Sequence, residues 1–156
     1  MAALAAASRS RDTTQEATGA LWVGVLKELP LFAGLSKRHL RRIAAIAQEA
    51  RFSAQTPIVR KGYSGEAFYV ILDGTVSVIR PGHSTIRLGT GDFFGELALL
   101  DGNKRSATIE ADTEVLTLTI AREDFMKALE TEPTMALAVL KELATRLRGL
   151  DEELSG

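Results

Sequence analysis

The stretch from Phe94 to Ala111, FGELALLDGNKRSATIEA, constrains the fold of this chain more than any other part of its sequence. A glycine at its second position is followed by the carboxylate of Glu96 and by a short apolar run that ends at Asp101-Gly102. Arg105 comes nine residues after Glu96 and leads into a strand-like segment. The pattern predicts a loop, a stubby helix with exposed N–H groups at its start, and a returning strand.

The residue types in this stretch suit an anionic ligand that also carries hydroxyl groups. The first turn of a helix attracts anions through its unpaired N–H groups and its dipole. The planar guanidinium of Arg105 can pair with two phosphate oxygens at once. An ionised Glu96 can only accept hydrogen bonds, so a ribose 2′-OH is a suitable partner. Together these groups predict a pocket for a small sugar phosphate.

The same residues resemble the phosphate-binding cassette of the cyclic-nucleotide-binding domains of catabolite activator proteins, kinase regulatory subunits and cyclic-nucleotide-gated channels. The family pattern is Phe-Gly-Glu, an apolar triplet, a loop, and then Arg followed by Ser or Thr and Ala. Here it reads Phe94-Gly95-Glu96, Leu97-Ala98-Leu99 and Arg105-Ser106-Ala107. The resemblance covers most of the chain after about residue 20.

This resemblance implies a role for each cassette residue. Glu96 would bind the ribose 2′-OH, and Arg105 would pair with the cyclic phosphate. Ser106 and the N–H groups near Leu97 and Ala98 would complete the phosphate cradle.

The resemblance also implies cyclic AMP as the ligand, with cyclic GMP as the alternative. In the family, residues of the C-terminal helix reach the purine, and the corresponding positions here are near Leu150 and Asp151. Leu150 can only pack against a base. The carboxylate of Asp151 could accept from the amino group of adenine, or from the N1–H and amino group of guanine.

Three other kinds of site fit the sequence less well. The spacing Gly89-x-Gly91-x-x-x-Gly95 does not fit a dinucleotide-binding turn, because Gly102 ends the following helix too early. A cupin-like metalloenzyme needs several histidines on neighbouring strands, whereas His39 and His83 are both predicted to be surface residues. No nucleophile–base pair is recognisable, so we expect a binding protein rather than an enzyme.

Composition sets further bounds. The length of 156 residues is consistent with one domain, and 46% hydrophobic and 25% charged residues are typical of a globular protein. A net charge of −1 argues against general affinity for nucleic acid. The absence of cysteine excludes disulfides and thiolate sites and suits the cytoplasm. No apolar run approaches the roughly 18 residues needed to span a bilayer, so no membrane partner is expected.

The order of patterns along the chain predicts a mainly β fold with flanking helices. A disordered tail over residues 1–19 precedes the binding domain at residues 20–156, in which short N-terminal helices come first. Ser36 is predicted to cap a helix that runs to about Glu49. A jelly-roll-like β-roll then spans about residues 50–120, and helices span about 121–154. Six strands are predicted, over residues 57–60, 67–72, 75–80, 84–88, 106–111 and 114–120.

The C-terminal helix begins near Pro133 and carries a narrow apolar seam. Its leucines follow a heptad spacing, at Leu140, Leu143, Leu147, Leu150 and Leu154. The seam predicts a homodimer, and packing of this stripe on the chain's own β-roll is the alternative. In the family this helix acts as lid and output, so that ligand binding shifts its position.

Two further functional alternatives remain open. Regulators of the family carry a helix-turn-helix module beyond this helix, and no residues remain for one here. We therefore expect no binding of nucleic acid by this chain alone. The chain would then be the sensor half of such a regulator without its DNA-binding module, or a ligand-free interaction module of the same fold.

Overall fold

The computed structural model describes the backbone of residues 11–155 and the side chains of residues 19–154. Five α-helices are assigned in this part of the chain: α1 (Arg11–Lys27), α2 (Lys37–Ile46), α3 (Ala98–Asp101), α4 (Arg122–Thr131) and α5 (Pro133–Ser155). A short 3₁₀ turn covers Pro30–Phe32. The chain divides into two compact units, a helical one formed by its two ends and a β unit over Ile46–Thr131.

The helical unit contains α1, the 3₁₀ turn, most of α2, and α5. The 3₁₀ turn packs against α5, and both Leu31 and Phe32 are fully buried. Helix α1 begins at Arg11, inside the segment for which the sequence predicted a disordered tail. The alanines and the Gln15-Glu16 pair favour a helix there, whereas residues 1–10 lie outside the described part.

Helix α2 begins as predicted but ends earlier. The N–H of His39 donates to Ser36 Oγ at 3.2 Å, so Ser36 caps the helix. The helix stops at Ile46, three residues before its predicted end near Glu49, because the chain changes direction to enter a strand at Gln48. Cross-strand hydrogen bonds outweigh the local helix preference of residues 47–49.

His39 corrects the prediction that both histidines lie on the surface. His83 is exposed, but His39 is buried, and its Nε2 lies 3.1 Å from Thr134 Oγ1 on α5. His39 precedes the buried Ile43 by four residues, so the two side chains share a face of α2. That spacing was visible in the sequence.

The β unit consists of eight strands in two four-stranded antiparallel sheets. The strands are β1 (Gln48–Phe52), β2 (Pro57–Val59), β3 (Ala67–Asp73), β4 (Val76–Ile79), β5 (Ile86–Leu88), β6 (Phe93–Phe94), β7 (Thr108–Ala111) and β8 (Val115–Ala121). One sheet has the order β1-β8-β3-β6 and the other β2-β7-β4-β5. This arrangement confirms the predicted β-roll with flanking helices and a long C-terminal helix.

A hydrophobic core lies between the two sheets. It joins buried residues from both, namely Val59, Ile71, Val76, Phe94, Ile109, Ala111 and Val115. The six predicted strands all form, with ends that differ by at most two residues. Strands β1 and β6 were not predicted: β1 reads QEARF, without regular alternation, and β6 has only two residues. Both exist because β8 and β3 supply their hydrogen-bonding partners.

Gly95, directly after β6, is required by both its backbone and its surroundings. Its φ is +83°, and a Cβ at this position would overlap Arg105 Nη1 and lie 2.9 Å from the carbonyl oxygen of Ala67. Gly91 provides a matched comparison: its φ is +91°, but a Cβ there would meet nothing within 4 Å. The two glycines therefore share the backbone requirement and differ in the close contact.

We predict that Gly95→Ala destabilises the protein more than Gly91→Ala does. Both variants incur a cost of about 1–2 kcal/mol for an L-residue at positive φ. Gly95→Ala adds about 1–3 kcal/mol of steric overlap with Arg105 and Ala67. Urea unfolding of the three proteins measures the difference. Equal losses in both variants would mean that Arg105 moves aside without cost.

Candidate functional site

The predicted cassette forms a turn and a short helix at one end of β6. Phe94 in β6 pairs with Tyr69 in β3, and Gly95 turns the chain out of the sheet. Helix α3 follows after Leu97 and ends at Gly102, which has a left-handed φ of 64°. The chain then returns through Arg105 to β7. The loop, stubby helix and returning strand expected from the sequence are all present.

Backbone hydrogen bonds join the loop between β2 and β3 to the cassette segment that carries Arg105. The N–H of Arg105 donates to Tyr63 O at 2.8 Å, and the N–H of Gly62 donates to Arg105 O at 2.8 Å. Gly65 is packed so closely against the Ala98 methyl that a Cβ there would overlap it. The loop between β2 and β3 therefore holds the segment that carries Arg105.

The guanidinium of Arg105 lies between β3 and the turn at Gly95. Its Nη2 donates to the carbonyl oxygen of Ala67, and Nη1 occupies the space that a Cβ of Gly95 would need. Burial lowers the pKa of Arg105 from its ordinary value, and the neighbouring Tyr69 and Glu66 partly oppose this effect. A partly desolvated cation is an unfavourable arrangement that a bound anion would relieve.

An open cleft of about 270 Å³ lies in front of Arg105. Strand β2 forms one side of it, the loop with Tyr63, Ser64 and Glu66 another, and Tyr69 of β3 completes the lining. Pockets for small ligands start at about 300 Å³, so the volume of this cleft lies just below that range. Sequence reasoning did not single out Tyr69, although it stands two residues after Ala67 and hence on the same face of β3.

The other predicted cassette residues differ in exposure. Glu96 is half-buried, and Leu97 and Ser106 are exposed, whereas Ala98 and Ala107 are buried. The N–H of Ala98 donates to Gly95 O at 3.1 Å. This N–H group, predicted to face the phosphate, is therefore engaged within the turn in the conformation observed.

Arg122 at the start of α4 supports the end of α3. Its Nη2 donates to Leu100 O at 3.3 Å, and a Cβ at Gly102 would lie 2.9 Å from its Nε. A cation beside the last carbonyl groups of a helix stabilises them. The N–H of Arg122 also donates to Glu66 O at 2.8 Å, which links α4 to the loop before β3.

The two residues predicted to reach the purine lie on α5. Both Leu150 and Asp151 are exposed there, and their contact with a base stays a prediction. Along the same helix, Leu140, Leu147 and Leu154 are exposed and Leu143 is half-buried. Met135 and Val139, by contrast, are buried.

Within the described residues, no group of three or more His, Cys, Asp or Glu side chains could hold a metal ion. None of the helices in residues 11–155 combines the length and apolar composition needed to cross a bilayer.

Comparison with known proteins gives consistent matches. The family model of the cyclic nucleotide-binding domain matches residues 49–132. A cyclic nucleotide-gated potassium channel of Rhizobium etli is 36% identical over 80% of this chain and 35% of its own length. The cAMP-dependent protein kinase regulatory subunit of Schizosaccharomyces pombe is 31% identical over 85% of this chain and 32% of its own. The chain thus spans about a third of the length of these curated relatives.

Two solved structures share the fold. The N-terminal domain of a transcriptional regulator from Streptomyces coelicolor has a TM-score of 0.73 and 32% identity, covering 82% of this chain and 95% of that domain. The catabolite activator protein of Thermus thermophilus has a TM-score of 0.61 and 32% identity, covering 81% of this chain and 62% of that protein. The relatives thus include a kinase regulatory subunit and a catabolite activator protein. With the family model matching more than half of its residues, this chain belongs to the cyclic nucleotide-binding domain family.

Proposed function

We propose that this chain is a cyclic AMP sensor that binds its ligand at the cassette and transmits binding through α5. The observation that carries the proposal is the half-buried guanidinium of Arg105 at the edge of an open cleft, beside the turn at Gly95. Among the relatives, the yeast protein is named as a cAMP-dependent kinase regulatory subunit and a Thermus protein as a cyclic AMP receptor protein.

The chemistry of the site fits a cyclic phosphate. Arg105 offers its remaining N–H groups to the phosphate oxygens, which restores the solvation that burial removed. Glu96 accepts from the ribose 2′-OH, and Ser106 donates to a phosphate oxygen. The N–H of Ala98 joins them once it leaves Gly95 O, so ligand binding reshapes the turn.

The output is a population shift of α5. A ligand can shift this equilibrium only by its difference in affinity for the two placements of the helix. Contacts of Leu150 and Asp151 with the purine would provide that difference. Either another domain of the whole protein or a separate partner would read the signal. A match to the N-terminal domain of a transcriptional regulator supports the second candidate, the sensor half of such a regulator.

We predict that Arg105→Ala weakens binding of cyclic AMP by about 30- to 1000-fold, because the phosphate charge loses its hydrogen-bonded partner. Glu96→Ala should cost less, since only a hydroxyl contact is lost. Isothermal titration measures both. Arg87→Ala on β5, an exposed arginine outside the cleft, is the matched control and should bind like the parent. If Arg105→Ala binds cyclic AMP like the parent, the pocket lies elsewhere. If the parent itself binds no cyclic nucleotide, the chain is a ligand-free module of this fold.

Titration of the parent with both nucleotides tests the choice of base. We predict tighter binding of cyclic AMP than of cyclic GMP, with Asp151 accepting from the adenine amino group. Asp151→Ala should then reduce the preference, whereas the neighbouring Glu152→Ala should not. A cyclic GMP affinity ten times tighter than that for cyclic AMP would reverse the assignment and implicate Asp151 in guanine recognition.

We also propose that the chain forms a homodimer through α5. Most of the leucine seam is exposed, with Leu140 61%, Leu147 66% and Leu154 88% accessible and Leu143 half-buried, whereas Met135 and Val139, nearer the start of α5, are buried. A seam that repeats every 3.5 residues is typical of paired helices. Two heptads associate weakly, and Gly149 lowers helix stability by about 1 kcal/mol relative to alanine, so other contacts must contribute.

We predict that Leu147→Glu yields a folded monomer, because it places a charge at the centre of the seam. Leu21→Glu, which alters an equally exposed leucine on α1 outside the seam, should leave the dimer intact. Sedimentation velocity at micromolar concentration compares both variants with the parent. A parent that sediments as one monomeric species with ligand bound would exclude the dimer and leave the stripe with the role of a lid.

A further inference from the structure

Tyr69 is held rigidly at the inner end of the cleft. Its ring stacks on Phe94 with a centroid distance of 4.9 Å and an interplanar angle of 18°. Phe52 meets the same ring edge-on, at 6.2 Å and 69°. The backbone of Tyr69 is paired on both sides, with Phe94 in β6 and Thr119 in β8. The direction of its hydroxyl group is therefore set by the sheet and by two aromatic neighbours.

Tyr69 and Arg105 line the same cleft. Ala67, whose carbonyl oxygen accepts from Arg105 Nη2, is two residues earlier on the same strand. Burial raises the pKa of Tyr69, and the nearby charge of Arg105 partly lowers it. Tyr69 in turn opposes the effect of burial on the pKa of Arg105. Tyr69 and Arg105 thus line one cleft without a hydrogen bond between them in the conformation observed, and the raised pKa keeps the phenol neutral at physiological pH.

The orientation of the Arg105 guanidinium plane determines how well it can pair with a phosphate. A guanidinium binds two phosphate oxygens only when its plane is correctly turned, and the side chain has many rotamers. In the conformation observed, one donor is bonded to Ala67 O. The Gly95 turn limits the guanidinium on one side, but a single hydrogen bond does not fix its plane, and a second acceptor would do so. A neutral phenol oxygen on a rigid ring can accept from a guanidinium without competing for its charge.

We propose that Tyr69 is a positioning residue whose hydroxyl accepts a hydrogen bond from Arg105 and fixes the plane in which the guanidinium meets the cyclic phosphate. This inference rests on the proposed function. It adds a determinant outside the cassette, on a strand that the Phe-Gly-Glu and Arg-Ser-Ala pattern does not include. It also gives the stacking of Tyr69 on Phe94 a consequence for binding, because Phe94 leads directly into the turn at Gly95.

The test begins with Tyr69→Phe, which keeps the ring stacking and removes only the hydroxyl. We expect binding of cyclic AMP to weaken about tenfold, the effect of losing a hydrogen bond to a charged group. The urea midpoint of the unliganded protein should stay close to that of the parent. Tyr63→Phe is the matched control: Tyr63 lines the same cleft, but its ring is 66% exposed. We expect this control to bind like the parent.

Arg105→Lys distinguishes positioning from other roles. Lysine keeps the positive charge but has no plane to orient. Adding Tyr69→Phe to Arg105→Lys should therefore weaken binding less than twofold, measured by competition against a fluorescent cyclic AMP analogue. A second readout is the Nε–H resonance of Arg105 in the ligand complex, which Tyr69→Phe should shift and Tyr63→Phe should not.

The outcomes separate this inference from the proposed function. If the parent binds and Tyr69→Phe binds equally well, the inference alone is overturned. A tenfold loss that persists in the Arg105→Lys background also overturns it, because the hydroxyl then acts on the ligand directly or through the fold. If the parent binds neither cyclic AMP nor cyclic GMP, the proposed function fails and the inference fails with it.

Discussion

The contact between the Arg105 guanidinium and the Ala67 carbonyl oxygen is the interaction on which the site depends. It joins residues 38 positions apart in the chain and holds a cation in a partly desolvated place beside the Gly95 turn. Burial opposes the charged form of Arg105, as the lowered pKa indicates. Under the proposed function, an anionic ligand bound beside Arg105 would recover this cost. The proposed function therefore links the stability of the unliganded site to its affinity for a phosphate.

The β unit keeps this arrangement in place through loops rather than through the cassette itself. The loop between β2 and β3 accepts the N–H of Arg105 and lies against Ala98 through Gly65. Arg122 supports the carbonyl end of α3 from the start of α4. The two-residue strand β6 anchors the turn through its pairing with β3. A short helix of four residues is stable only with such support, so the binding segment depends on the sheets around it.

Sequence reasoning was most successful where the signal is local. The turn at Gly95, the end of α3 at Gly102 and the cap at Ser36 follow from the backbone preferences of glycine and serine. The six predicted strands were also found from a local signal, because each is a short run of β-forming residues between turn residues. Strands β1 and β6 were missed, since neither composition nor alternation marks them and their partners come from distant parts of the chain. His39 was placed on the surface because the basic residues around it hid its spacing with Ile43.

The sequence by itself determined the chemistry of the site: one cationic fork, one carboxylate acceptor, and glycines at the turns, all within a short stretch of chain. It determined the family as well, because the spacing of Phe94-Gly95-Glu96 and Arg105-Ser106-Ala107 is local and specific. Only the tertiary structure decided where the guanidinium points and which groups surround it. Ala67, Tyr69 and the loop at Tyr63 reach Arg105 through antiparallel pairing of strands far apart in the chain. Such contacts depend on sheet register and burial, which no local pattern of residues specifies.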